Sequence, residues 1–276
     1  MKKHLHVLLL GLITLILFFL FIKFVVFSIS YASLFASLFL FAFGISTRKI
    51  QISKLVKLFY LTLPISLLSL LFILEAPNLL FLIPFYFLIT YFGLIFEKSK
   101  IPISIITIVI SLIFSLYLIP KLLFDSLSME IKKENIDYQL VDLKENKIIT
   151  KEENLGNILV LSFFNTWCSP CIKEFPDLER LQRKYKSENV KIVLVCAGEM
   201  DTKQKVIDFY VKRQLELDLL WYDEDSKFYK ENGFSGVPSM LILDKKGNIR
   251  HKHSGYNEGM NLDSQLSGII EKLIKE

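Results

Sequence analysis

The 276 residues carry a formal net charge of +5, but two unlike halves contribute to it. Residues 1–124 hold ten Lys and Arg against two Glu, with no Asp, no Cys and eighteen of the 24 Phe, whereas residues 125–276 hold 23 Lys and Arg against 26 Asp and Glu. A nucleic-acid surface is therefore excluded as the source of the positive charge, since the basic residues of the first half stand in short loops between apolar runs.

Those runs are Val7–Phe27, about Ser28–Ile45, Leu58–Leu74, Leu79–Phe96 and Ile101–Ile119. Each is close to the ~17–25 residues that a helix needs to cross a bilayer, so residues 1–124 are expected to be an all-α region of about five transmembrane helices in a lipid bilayer. Five apolar helices without a polar face cannot all be buried in a soluble fold. The first run is also too long for a removable signal peptide and lacks a small-residue cleavage site.

Lys2 and Lys3 precede the first run, Arg48, Lys49, Lys54 and Lys57 lie between the second and third, and Lys98 and Lys100 between the fourth and fifth. The intervening connections, Ser28–Ser30 and Glu75–Asn78, carry no Lys or Arg. The positive-inside rule then predicts a cytoplasmic N-terminus and, after an odd number of crossings, residues 125–276 outside the cytoplasm of a cell (inner) membrane. Lys23 and Glu75 fall near helix ends, and Pro64, Pro84 and Pro102 read as kinks or first-turn residues, so nothing marks a transport path. The region reads as an anchor that cannot itself relay thiols.

Residues 125–135 read as a polar linker. Beyond them, Ile136–Asp142 reads as a strand, Lys144–Lys147 as a turn and Asn157–Phe164 as a buried central strand. Ile172–Lys186 reads as a helix that Pro176 should kink. Lys191–Cys196 is a further buried strand, Thr202–Gln214 a helix, and Leu217–Tyr222 a short edge element. Ser239–Asp244 and Ile249–His253 form a hairpin, and Leu262, Leu266, Ile269, Ile270 and Leu273 mark a closing helix with one apolar face. This is an α/β domain over 136–276, large enough for its own core.

Between the central strand and its helix stands Trp167-Cys168-Ser169-Pro170-Cys171. A thiol at that junction meets unpaired backbone N–H groups and the positive end of the helix dipole, which favour its thiolate. Cys168 is therefore expected to be a nucleophile near neutral pH. Cys171, one turn further in, is placed to attack a mixed disulfide on Cys168. A zinc knuckle would need a second ligand pair, and none stands at suitable spacing. A peroxiredoxin would carry Pro and Thr where Leu161 and Asn165 stand. Cys196 reads as a small buried apolar residue rather than a third redox centre, and His251 and His253 as a solvated strand face rather than a metal site.

Five motifs in order carry a resemblance to the thioredoxin-like domain of the membrane-anchored TlpA/ResA group of thiol–disulfide oxidoreductases. They are Asp137–Leu143, Asn157–Trp167 leading into Cys168–Cys171, Glu174-Phe175-Pro176, Gly236-Val237-Pro238 and Asp244–Asn248. The resemblance implies that Cys168 attacks and Cys171 resolves, and that Pro238 is a cis proline with Val237 pairing with a substrate chain beside the disulfide. Trp167, Ser169 and Pro170 complete the expected substrate-binding surface. Thioredoxins keep a buried acid where this chain has Ser162, and Glu174, three residues after Cys171 on the same helix face, is the candidate to replace it.

The expected activity is reduction of disulfides in extracytoplasmic proteins, with electrons from a membrane donor and no cofactor or metal beyond the Cys168–Cys171 pair. Apocytochrome c, whose Cys-x-x-Cys-His thiols must be free for haem attachment, is the leading substrate in cytochrome c-type biogenesis. An oxidase or isomerase running the same two thiols in the other direction is the alternative, as are a copper-handling protein and a redox-sensing membrane scaffold.

Overall fold

The structure, a computed structural model, describes residues 2–24, 28–71, 80–96 and 101–276. The chain divides into two units, Met1–Ser126 with Asn257–Met260, and Leu127–Tyr256 with Asn261–Glu276.

The first unit holds the helices α1 (Lys2–Phe24), α2 (Ile29–Thr47), α3 (Lys54–Leu71), α4 (Leu82–Leu94) and α5 (Ile101–Ile113). A π-helical turn at Phe114–Leu118 then leads into α6 (Ile119–Ser126), so the fifth apolar run extends beyond its expected end at Ile119. The turn precedes Pro120, which lacks the N–H that α-helical pairing would use. The segments Lys2–Phe21, Ile29–Thr47 and Ser104–Ser126 are long and apolar enough to cross a membrane, and Leu82–Leu94 is a shorter apolar helix. The expected loop Glu75–Asn78, with Lys98 and Lys100, lies outside the described residues.

Small side chains bring these helices together. On α2 the buried residues Ser30, Ser33, Ser37, Leu40, Gly44 and Thr47 recur every three or four positions. A Cβ on Gly44 would stand 2.9 Å from the carbonyl oxygen of Thr90 and 3.0 Å from Cα of Gly93, so the α2 and α4 backbones touch there. Close approach of this kind compensates for the lack of a hydrophobic drive between helices in lipid. The Ser33 and Tyr86 hydroxyls share a buried hydrogen bond of 2.8 Å across the same pair.

The second unit is a sheet of eight strands in the order β1, β8, β7, β4, β5, β6, β2, β3. These are β1 (Ser128–Asn135), β2 (Gln139–Asp142), β3 (Lys147–Thr150), β4 (Ile158–Phe164), β5 (Val190–Ala197), β6 (Leu219–Asp223), β7 (Ser239–Leu243) and β8 (Asn248–Ser254). β4 lies parallel to β5 and antiparallel to β7, and all seven of its residues are buried, as a run apolar at every position but Ser162 suits. Its alternate residues Leu159, Leu161 and Phe163 join Trp221, Phe228 and Tyr229 in the core on one face. The opposite face, which carries Ser162 and Phe164, receives α7 (Ser169–Lys184), whose Phe175 ring meets that of Phe164 edge-on at 5.6 Å. α8 (Lys203–Lys212), α9 (Lys227–Glu231) and α10 (Leu262–Ile274) complete the unit.

Two expectations are corrected. The supposed linker 125–135 contains β1, whose Ser128 pairs with His253 and Asn135 with Asn248. Its Lys and Glu content suits an edge strand, which has only one paired side, and that composition hides it from an apolar pattern. Leu217–Tyr222 is no edge element, because β6 runs between β5 and β2. Trp221 there donates its indole N–H to Asp142 on β2 over 3.2 Å.

Candidate active site

Cys168 is the N-cap of α7, in extended conformation at φ −79° and ψ 101°. Its sulfur occupies the place of a capping oxygen: the Cys171 backbone N–H donates to it over 3.1 Å. A thiolate at this sulfur would thus be held by a backbone donor and the helix dipole together. Pro170 occupies the first turn, where its lack of an N–H leaves no bond unmade. The two sulfurs are joined in a disulfide with Cα atoms 5.3 Å apart.

Both cysteines are nearly inaccessible, at 2 % and 1 % exposure, whereas Trp167 beside them is 57 % exposed. Ser169 is exposed and Pro170 half-buried. The dithiol therefore lies flush with a surface from which an indole projects. Across from it runs the loop before β7, in which the Val237–Pro238 bond is cis. The Val237 carbonyl oxygen lies 3.6 Å from Cys168 Sγ, a contact rather than a hydrogen bond, since a disulfide sulfur has no proton. The loop is held by Ser239 Oγ donating to the Gly236 carbonyl over 2.6 Å and by the Gly255 N–H donating to the Pro238 carbonyl over 2.8 Å.

Beneath the dithiol, Glu174 is 1 % exposed and accepts a hydrogen bond of 2.9 Å from Ser162 Oγ on β4. Burial pushes its carboxyl up to about 8, the Ser162 hydroxyl partly opposes that shift, and the charge of Asp177 adds to it. An ordinary glutamate on a Lys/Glu-rich helix would be solvated; this one faces the sheet. Its partner is the very residue that replaces a thioredoxin's buried acid.

Cys196 is fully buried, and burial, followed by the charge of Asp201, pushes its thiol up, which makes it inert. The reading of His251 and His253 as a solvated face is overturned: they are 8 % and 2 % exposed, on a strand that β1 flanks. His253 Nδ1 lies 2.7 Å from Ser128 Oγ and Nε2 lies 2.9 Å from the Gly255 carbonyl, and burial lowers its pKa to about 4. Among the described residues no group of three or more His, Cys, Asp or Glu side chains is placed to hold a metal ion.

A dithiol capping a helix, opposite a cis-proline loop on a thioredoxin-like sheet, defines a thiol–disulfide oxidoreductase. The comparisons with known proteins agree. The Redoxin family model matches residues 130–268, and the chain belongs to that family. Over 141 residues it is 31 % identical to the thiol-disulfide oxidoreductase ResA of Bacillus thuringiensis subsp. konkukian (strain 97-27), covering 51 % of this chain and 79 % of that one. Over 178 residues it is 26 % identical to the thiol:disulfide interchange protein DsbE of Allochromatium vinosum, covering 64 % of this chain and 94 % of that protein. The crystal structure of StoA from Bacillus subtilis is similar to it with a TM-score of 0.40 and 25 % identity, over 48 % of this chain and 98 % of StoA.

Proposed function

We propose that the second unit works outside the cytoplasm as a tethered reductase of protein disulfides, with apocytochrome c as the leading substrate. The observation that carries this reading is the Cys168 sulfur, which accepts the Cys171 N–H at the start of α7 beside the Val237 carbonyl. In the reduced enzyme the Cys168 thiolate attacks one sulfur of a substrate disulfide, forming a mixed disulfide and releasing one substrate thiolate. Cys171 then gives its proton to Glu174 in the minority of molecules where that carboxyl is ionised near pH 7, and attacks Cys168, which closes the intramolecular disulfide and releases the second substrate thiolate. Two electrons pass to the substrate, and both released thiolates take up protons. An acid with a pKa near 8 exchanges protons close to ambient pH, which suits it to that step.

The Val237 backbone and the exposed Trp167 flank the attacking sulfur and form the surface on which a substrate segment lies, with Ser169 and Pro170 at its edge. A separate membrane dithiol returns the two electrons, because the first half of the chain has no cysteine. The basic alternate loops support the placement of this unit outside the cytoplasm. The test is trapping: Cys171→Ala should accumulate mixed disulfides with substrate proteins, because the resolving step is lost, whereas Cys168→Ala should accumulate none. Equal trapping by both variants would overturn the assignment.

A further inference from the structure

The residues leading into the dithiol are held by a carboxylate that lies outside every motif described above. Asp201 follows β5 in the loop before α8 and is 2 % exposed. Its Oδ2 accepts the Thr166 backbone N–H over 2.7 Å and the Asn165 side-chain amide over 3.3 Å, while its Oδ1 accepts the Thr166 hydroxyl over 2.8 Å. Asn165 and Thr166 begin the turn into α7, and the Asn165 carbonyl accepts the backbone N–H of Cys168 over 3.1 Å. One bond separates Asp201 from the residue that holds the Cys168 amide.

Asp201 is itself held at both its carboxylate and its backbone. Lys205 on α8 places Nζ 2.5 Å from Oδ1, and Tyr222 on β6 donates its hydroxyl to the Asp201 backbone carbonyl over 2.7 Å. Burial raises the Asp201 pKa, but the bonds from Lys205, Thr166 and Asn165 together bring it below the ordinary carboxylate range. It is therefore ionised at neutral pH and able to accept all of these donors. A buried carboxylate so fully bonded is a rigid part of its surroundings.

We propose that Asp201 is a positioning residue for thiol–disulfide exchange, clamping the Asn165–Cys168 turn so that the Cys168 sulfur stays on the axis of α7 and within reach of the Cys171 N–H. The inference rests on the reading of Cys168 as the attacking thiol. Stabilisation of a thiolate by a helix terminus falls off within one turn, and a hydrogen bond to sulfur is lost with a small rotation, so a loosened turn yields a less acidic Cys168 without touching it.

The test uses the full chain, reduced, in detergent micelles, with alkylation at Cys168 followed site by site by mass spectrometry from pH 5 to 10. Asp201→Asn keeps the shape but replaces one acceptor oxygen by an NH₂ group. Thr166→Val removes only the hydroxyl bond and Thr166→Ser retains it, which gives a conservative pair in case Asp201→Asn folds poorly. Asp201→Asn should raise the pH midpoint of alkylation and slow exchange with a model peptide disulfide up to about fivefold at pH 7, since a rise of one pKa unit cuts the thiolate fraction about tenfold well below the midpoint and about fivefold at it. Thr166→Val should shift both in the same direction and Thr166→Ser should restore them. Midpoints unchanged from wild type in Asp201→Asn and Thr166→Val, or changes that follow only the thermal unfolding temperature, would overturn the proposal. A wild-type chain that alkylates at Cys168 but exchanges with no disulfide would instead overturn the reductase reading.

Discussion

Ser162 on β4 donates its hydroxyl hydrogen to Glu174 on α7 across 2.9 Å, in a place that water does not reach. The strand thus lends a donor to an acid on the helix that also carries both thiols. A hydroxyl is no base near pH 7, so the pair divides the work: Glu174 titrates, and Ser162 partly offsets the burial that raises its pKa.

That division predicts the kinetics. Glu174→Gln keeps the shape and loses the ionisation, so disulfide exchange should slow by about 10–100-fold, at or below the low end for a general base because the nucleophile is already acidic. Ser162→Ala should slow exchange less and move its pH dependence upward, since the hydroxyl lowers the Glu174 pKa and its loss raises it further. Stopped-flow exchange of the reduced protein with a peptide disulfide between pH 6 and 9 measures both. An identical rate and pH profile in all three proteins would remove Glu174 from the reaction.

The same pKa predicts how stability depends on pH. Below about 4.5 the Glu174 carboxyl is neutral in the folded and unfolded chains alike; above it the unfolded chain ionises while the folded one keeps its proton until about 8. The folded state then binds more protons, and stability falls as pH rises through that window, by at most ~1.4 kcal/mol per pH unit. Glu174→Gln should flatten the curve there. Both tryptophans, Trp167 and Trp221, belong to the second unit, so their fluorescence during denaturant unfolding reads this unit alone. Parallel curves for wild type and Glu174→Gln would mean that the carboxyl is ionised in the folded state.

The sequence showed most of this site because its logic is local. Cys168, Cys171 and Glu174 share one helix at spacings that place them on one face, and a strand that is apolar except at Ser162 announces the junction before them. What stayed hidden depends on partners far away in the chain. β1 is too polar to read as a strand and exists because β8 offers it a backbone to pair with, and that pairing sets Ser128 against His253. β6 looks like an edge until β2 is seen beside it. Asp201 lies 35 residues after Thr166, in a loop with no motif, so only the fold brings them together.

The orientation of the chain in the membrane predicts a pattern of labelling. If residues 125–276 lie outside the cytoplasm, an impermeant thiol reagent should label intact, pre-reduced spheroplasts, and Cys168→Ala should lose most of the signal, since Cys196 is buried and unreactive. Lys49, exposed between α2 and α3, belongs to the basic loops expected on the cytoplasmic side. A Lys49→Cys chain that also carries Cys168→Ala and Cys171→Ala should therefore stay unlabelled until the cells are lysed. Protection of Cys168 with labelling of Lys49→Cys would invert the topology. The dithiol would then face a reducing compartment, where a tethered reductase with its own membrane donor has no disulfides to act on.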